Sequence, residues 1–580
     1  MLKNLLKKHP HFVAISLFIS FSLLLLVPHL TTKGMVTEAD LIFHYNRFYD
    51  SAMQMKEGNF SYIISIYGYQ QSGRIVNALY GPYFAYLQGV LVLLSGTWFR
   101  YQIVSNALLG TLSASSLYFL MRELKVRYVL AVALSMFFVT TYSIQYWWLT
   151  QGFTSWGVAL FPLCLIPAVR FLQTKRVPIF LMAGAVSLML QVHMLSALFL
   201  VMTYGMLFLI GWVQSDQKWR IIRDVAVSVA IFSLLTVNIW LPLLFINGSN
   251  TLVPPFVNKR FVQNTVTWLK TSFLYYPYPL PFFFFTYISL LLIKRKQQSK
   301  VLLSLALVYA VFFILSTNLF PWQLVAGKGI AVVELIQFPF RFFLYANALL
   351  FVVVGMQWTG LSEKIQRFFL VSTVVAIAIA VAFLWDISYK EIRNHYYSDT
   401  FLQKRAHTTL YGSSEELRAS FHSEDLGRFL YLAQKSTPDY VPDILSQEGV
   451  MTNEESDNAY HMYRDQIILS NPAFDKEVKG NDLIVSWVSA DVGEVSVPII
   501  VYKDSQLVLN QQTMDRDELT LSRIGVPTVI SQKGNNQLIV SYKYQWWLQP
   551  AIFISLSSWF LWLLFYFIVY RKHSSILSLK

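Results

Sequence analysis

Over most of the chain, apolar residues come in unbroken runs, and polar residues gather in the short gaps between them. Runs of this length predict membrane helices. They fall at about 12–30, 101–121, 128–145, 155–172, 178–193, 195–213, 225–246, 278–293, 301–319, 339–358, 368–386 and 549–570, about twelve in all. The first run follows Lys3, Lys7 and Lys8 and resembles a signal peptide. It lacks a small-x-small cleavage site and many more runs follow, so it reads as a retained first helix. The run 81–96 is too short to cross: at ~1.5 Å per residue it reaches about 24 Å of a ~30 Å hydrocarbon layer.

The pattern changes in two places. Residues 31–100 are mixed, and residues 387–548 are mostly polar. Within the second stretch, 387–475 alternates charged helical segments with proline-containing loops such as STPDYVPDIL. Residues 482–544 alternate apolar and polar in strand fashion (DLIVSWVS, VSVPIIVY, ELTLS, VPTVIS, QLIVSYKY), with KDSQ and QKGNN as turns. A small β-sandwich is predicted there, held at the membrane by the last helix.

Charge settles the orientation. If 81–96 does not cross, the clusters Lys3/Lys7/Lys8, Arg122/Lys125/Arg127, Lys175/Arg176, Lys218/Arg220/Arg223, Lys294/Arg295/Lys296/Lys300, Lys364/Arg367 and Arg571/Lys572/Lys580 share one side. The short loops of the other side then hold only Lys259, Arg260, Lys270 and Lys328. The positive-inside rule makes the first side cytoplasmic. Segment 81–96 is therefore an interfacial or re-entrant helix, both termini are cytoplasmic, and 31–100 and 387–548 face outward. The expected organisation is a first helix (1–30), an outer loop with an acidic motif and the interfacial helix (31–100), a multi-helix membrane domain (101–386), an extracytoplasmic domain (387–548), strand-rich over 480–545, and a last helix with a cytoplasmic tail (549–580).

Composition narrows the class. Of 580 residues 55% are hydrophobic and only 13% charged, which excludes a disordered chain, a fibre and a water-soluble enzyme. The net charge of +14 divides into −7 over 387–548 and +21 elsewhere, so the basic excess is a topology signal, and no nucleic-acid partner is expected. The single cysteine, Cys164, lies in an apolar run and provides neither a disulfide nor a metal site.

Chemistry has few places to sit. The outer carboxylates of the membrane part are Glu38, Asp40, Asp50, Glu57, Glu334 and Asp386. In TEADLIFHYNRFYD a helix would put Asp40, His44 and Arg47 on one face, with Phe43, Tyr45 and Phe48 around the others as membrane anchors. Asp40 would serve as general base toward an acceptor hydroxyl, and His44 and Arg47 would hold a donor phosphate. The plainer alternative is a solvated polar face on which Asp40 and Arg47 compensate each other. His193, at a break between two runs, is either a packing residue or part of the same site. Arg341 enters a span beside Glu334 and Gln337 and either snorkels or binds an anion. Lys328, in GKG, would add a second positive charge. Trp147 and Trp148 fit an aromatic belt or a sugar-stacking surface. Phosphate-binding loops, dinucleotide fingerprints, His-Glu-x-x-His and Gly-x-Ser-x-Gly do not occur.

The segments DLIFHYNRF, GNFSYIISIYGYQQSGRIVNALYGP, QVHMLSALF, LIQFPFRFF and TPDYVPDIL resemble bacterial YfhO-type membrane proteins and the Gram-positive membrane proteins labelled 6-pyruvoyl-tetrahydropterin synthase-related. The overall layout resembles the GT-C glycosyltransferase superfamily. That resemblance implies a GT-C-like polytopic α-helical protein with an extracytoplasmic α+β tail. It would move a sugar from a polyprenyl-phosphate donor to a cell-wall polymer or glycolipid on the outer face of the cell membrane. An inner-face donor synthase and a flippase would supply the donor. The acid of the first outer loop maps onto Asp40, with Glu38 two residues earlier as the other candidate, and phosphate binding maps onto Arg341. The second outer loop, YSIQYWWLTQGFTS, has no acid, so a lipid monophosphate is expected and a divalent metal or other cofactor is not. The pterin label has no counterpart here, since the chain has no histidine-rich zinc site. A lipid-linked saccharide transporter or flippase is the alternative function, and a non-catalytic envelope scaffold another. The first would place polar residues near the bilayer midplane, where these runs carry almost no charge.

Overall fold

The computed structural model describes residues 8–254, 258, 260–267, 276–403, 405–444 and 458–577. Lys259 and Lys270 lie outside them. Every apolar run is helical, but the runs do not all make spans. Among the described residues seven helices are long and apolar enough to cross a bilayer: Trp98–Glu123, Tyr128–Thr150, Thr154–Thr174, Met194–Val213, Phe340–Thr359, Glu363–Tyr396 and Leu548–Ile568. An eighth is the pair Lys218–Leu235 and Val237–Ser249, bent by 73° at Thr236. Pro10–Leu25, Ile179–Val192, Leu280–Ile293 and Lys300–Ser316 are shorter.

The count of about twelve thus becomes seven or eight by length, because breaks shorten the runs. The first run breaks at Leu26, ahead of Pro28, and resumes as Val27–Thr32. Ile179–Val192 stops where His193 turns extended (φ −161°, ψ 115°). Burial sorts the spans: 89% of the apolar window of Phe340–Thr359 is buried, against 22% for Glu363–Tyr396 and 11% for Leu548–Ile568. The first is a central post; the other two form the rim.

The run 81–96 folds as Pro82–Ser95, laid against the helix Ala39–Glu57. The approach is close enough that a Cβ on Gly89 would meet Ala52 N at 2.9 Å. Tyr86 also donates to Gln54 Oε1 at 2.7 Å, fixing the pair side by side.

The tail contains a two-stranded sheet, β1 (Thr408–Leu410) with β2 (Ala433–Lys435), and two larger antiparallel sheets. The strands of these are β3 (Asp475–Lys479), β4 (Asp482–Ser489), β5 (Gly493–Ser496), β6 (Ser505–Leu509), β7 (Gln512–Met514), β8 (Thr520–Leu521), β9 (Pro527–Ser531) and β10 (Gly534–Tyr542). The five-stranded sheet runs β3-β4-β10-β6-β7, the three-stranded one β5-β9-β8. Along β10 the buried Leu538 and Val540 alternate with more exposed positions. DLIVSWVS, VPTVIS and QLIVSYKY form strands much as their alternation implies, whereas VSVPIIVY keeps only its first residues in β5. The edge strand β3 (DKEVK) is too charged to show alternation, a common property of edges that must stay wet.

Leu483, Val485, Val529 and Leu538 share one apolar core with Ile64, Ile66, Ile75 and Leu79 of the first outer loop. Polar contacts reinforce the join: Ile500 N donates to Ser72 O at 2.7 Å, and Lys476 Nζ donates to the carbonyls of Gln70, Gln71 and Pro498 at 2.9, 3.1 and 2.8 Å. The first outer loop and the tail therefore meet as one body above the helices.

Candidate functional site

The helix Ala39–Glu57 begins after the extended Glu38 and ends at Gly58, whose φ of 73° suits a residue without Cβ. Its sequence spacing does put Asp40, His44 and Arg47 along one side, but only Asp40 stays at the surface. The Asp40 side chain is 54% exposed and pairs with Lys435 Nζ at 3.3 Å. His44 and Arg47 are buried. Tyr45 and Phe48, expected as lipid anchors, are buried in the protein as well, with Tyr45 stacked on Trp98 at 4.2 Å.

Among the described residues Arg47 has no carboxylate partner. Its Nε donates to Asn77 Oδ1 at 3.1 Å, and both terminal nitrogens lack a hydrogen-bond acceptor among those residues. Its guanidinium carbon lies 4.2 Å from the Tyr80 ring centroid and 5.3 Å from that of Phe153. Cation–π contact offsets part of the desolvation and cannot replace the missing acceptors.

His44 stacks on Phe153 at 4.7 Å, meets Trp147 edge-on at 5.6 Å, and has an unpartnered Nδ1. Burial first, then the Arg47 charge, hold it well below the ordinary histidine range. Trp147 and Trp148 are likewise buried; they line the protein interior instead of a lipid belt.

Around Tyr80 and Phe153 the chain brings in distant groups. His193 lies 6.0 Å from Tyr80 and 5.7 Å from Phe153, and its Nδ1 is 2.7 Å from Ser196 Oγ. Tyr345, on the central post, donates to that same Ser196 oxygen at 2.7 Å. Arg341 stands in the first turn of Phe340–Thr359, with its guanidinium carbon 5.0 Å from the Phe338 ring centroid. Its Nη1 donates to Ile336 O and Gln337 Oε1, both at 2.9 Å, so Gln337 positions the arginine. Lys328 is exposed between Gly327 and Gly329, both at positive φ, and forms no hydrogen bond or ion pair with the cluster among the described residues.

Glu38 and Asp40 face different surroundings. Glu38 is bound by Arg405 at 2.6 Å and lines a cavity of about 180 Å³ with Tyr142, Gln145, Thr150 and Glu391. Asp50, on the same helix, is buried and accepts from Tyr67 N, Gly68 N and Gln54 Nε2 at 2.8, 3.1 and 2.8 Å, which makes it a brace for the loop.

The structure thus gathers His44, Arg47 and His193 around Tyr80, with Arg341 at the start of the central post, Asp40 at the rim and Lys328 outside. Reading the sequence for chemistry passed over Tyr80, Asn77, Lys435 and Asp439. Tyr80 and Asn77 stand in NALYGP and Asp439 in TPDYVPDIL, segments noted for resemblance without any role attached. Among the described residues no three His, Cys, Asp or Glu side chains are grouped to hold a metal ion.

No family model matches the sequence, and no curated protein matches it. Among solved structures, the chain is similar to the oligosaccharyltransferase of Archaeoglobus fulgidus, determined with a tethered acceptor peptide. The TM-score is 0.38 and the identity 12%, over 72% of this chain and 59% of that one.

Proposed function

We propose that the protein is a membrane glycosyltransferase that moves a sugar from a polyprenyl-phosphate donor to a hydroxyl of a cell-wall polymer or glycolipid on the outer face of the cell membrane. The observation that carries this reading is Arg47: a buried guanidinium whose two terminal nitrogens are unpartnered among the described residues, in a cluster that includes two histidines. Isolated buried charge is costly, and an anion that enters the cluster relieves the cost. A phosphate monoester presents oxygens that match the guanidinium fork.

In this reading the donor headgroup displaces the Tyr80 ring and is held by Arg47, Arg341, His44 and His193, with Gln337 steadying Arg341 and Lys328 closing from its loop. The acceptor oxygen attacks the anomeric carbon while its proton passes to Asp40. The bond from that carbon to the phosphate oxygen breaks, and the phosphate leaves with the electron pair. One displacement inverts the anomeric centre. Glu38 is less suited as base because Arg405 holds its carboxylate at 2.6 Å, tighter than Lys435 holds Asp40 at 3.3 Å, and because it is about half as exposed. The reaction asks for no metal, and in this reading the exposed Asp40 carboxylate is open to an acceptor that arrives from the outer face. A donor synthase on the inner face and a flippase would supply the lipid-linked sugar.

The test is a comparison of envelope glycans from cells with the protein, without it, and with Asp40→Asn. A hexose missing from one polymer or glycolipid in both altered strains is the expected result. Unchanged composition in both rejects the proposal.

A further inference from the structure

Four helices, Thr154–Thr174, Ile179–Val192, Met194–Val213 and Lys218–Leu235, surround a groove of about 330 Å³, within the ~300–1,000 Å³ range of ligand sites. The last two both pack on Ile179–Val192 and touch each other little, which leaves the gap. Phe171, Val186, Val201, Phe208, Val229 and Phe232 line it. Gly205 widens it, since a Cβ built there meets nothing within 4 Å. The two hydroxyls of the lining are spent inside the protein, Tyr204 Oη on Cys164 O and Ser228 Oγ on Asp224 O. A polar occupant would find no partner on these walls, so the groove suits an apolar chain. Val201 and Val229 are 49% and 55% exposed, which opens one side to the bilayer.

One end of the groove is basic. Lys175 and Arg176 join the first two helices, and Lys218 begins the fourth. Lys175 lies one helical turn beyond Phe171, and its Nζ donates to Gln214 Oε1 at 2.8 Å, at the end of the third helix. Lys218 Nζ is 5.3 Å from the Trp212 ring centroid. Nearby arginines are matched with acids: Arg170 pairs with Glu123, and Arg220 and Arg223 share Asp224. Among the described residues Lys175, Arg176 and Lys218 form no ion pair, and the loop before Lys218 sets a single acid, Asp216, against them. The other end of the second and third helices is His193, in the Arg47 and Tyr80 cluster. At ~1.5 Å per residue, Val201 and Phe208 are about 12 and 22 Å from it along the helix.

We propose that this groove binds an anionic phospholipid, with one acyl chain between the helices and the phosphate on Lys175, Arg176 and Lys218. Charge selects the occupant. A zwitterionic lipid offers the same chain but brings its own cation to a basic mouth. A polyprenyl phosphate held by Arg47 has its phosphate at the opposite end. The site is separate from the transfer site and stands without it.

The test is native mass spectrometry of the full-length protein in neutral detergent, titrated with dioleoyl phosphatidylglycerol, dioleoyl phosphatidylcholine or undecaprenyl phosphate. Wild type should bind one phosphatidylglycerol at least about tenfold more tightly than phosphatidylcholine. Gly205→Trp fills the groove and should remove that adduct. Lys175→Gln combined with Lys218→Gln leaves the groove open and should weaken phosphatidylglycerol binding about 25-fold, about fivefold per cation, with phosphatidylcholine unchanged. If Gly205→Trp does not fold, the lysine variant decides alone. Equal affinity for the two phospholipids in wild type, or an unchanged preference in the lysine variant, overturns the proposal. So does undecaprenyl phosphate that displaces phosphatidylglycerol and is lost in Gly205→Trp, which assigns the groove to the donor chain. A dimer that Gly205→Trp breaks assigns it to a second copy and overturns the proposal as well.

Discussion

The guanidinium of Arg47 lies 4.2 Å from the ring centroid of Tyr80, close enough for the ring to cap the two nitrogens that have no acceptor among the described residues. This arrangement is poor for stability and useful for binding an anion. Arg47→Met should therefore separate the two properties. Replacing even a paired buried charge and its partner with apolar side chains of similar volume is often neutral or stabilising by about 1–4 kcal/mol, and an arginine without an acid partner has less attraction to lose. Thermal unfolding in detergent should show an equal or higher midpoint for the variant, while saturable binding of a polyprenyl monophosphate should be lost. A variant that unfolds earlier and binds normally would show that Arg47 is structural.

The two acids at the start of the same helix should behave differently. Asp40→Asn is expected to lower transfer by about 10²–10⁴-fold, the usual range for removing a general base. Glu38→Gln weakens a partly exposed pair with Arg405 and should cost no more than about 1 kcal/mol of stability, with transfer largely retained. Initial rates in membranes matched for protein content would discriminate the two, and a reversed order would move the base to Glu38.

Asp50 sets a pH dependence of folding. Burial raises its carboxyl from 3.8 to about 6, against the pull of the Tyr67 and Gly68 amides. Between those values the folded protein keeps a proton that the unfolded chain has released. Stability is therefore greatest below pH ~4 as far as this group is concerned, and falls as pH rises toward ~6, by about 3 kcal/mol. Asp50→Asn keeps an oxygen for the two amides and should flatten that slope. Unfolding midpoints at pH 4, 5, 6 and 7 for both proteins would reveal it; parallel curves would remove Asp50 from the account.

Much of this site was legible because a helix repeats every 3.6 residues: Asp40, His44 and Arg47 had to share a side once TEADLIFHYNRFYD was taken as helical. Which way that side turned was not legible. Arg47 is buried because Tyr80 and Phe153 cover it, and neither belongs to its own helix. Trp147 and Trp148 look alike at a lipid surface and in a protein interior, since both environments reward aromatic area. Lys435 pairs with Asp40 across 395 residues, from a segment with no periodicity to mark it. Breaks followed local chemistry in part: the turn at His193 was readable, while the bend at Thr236 has no proline or glycine within five residues to mark it.

Lys476 gives the last expectation and links the tail to the site. Its ammonium is half-buried and donates to three carbonyls, two of them at Gln70 and Gln71, which both have positive φ. Lys476→Met fills the same space and leaves those acceptors without a donor, a change that costs about 1–3 kcal/mol for each group left unsatisfied. The loop they belong to leads to Arg74, which holds Thr437 and Asp439 in place. Amide hydrogen exchange should accelerate over 66–75 and then over 436–441, although the substitution touches neither Asp439 nor Asp40. Acceleration confined to strand β3 would mean that the loop holds itself and that the tail does not position the segment above Asp40 through this lysine.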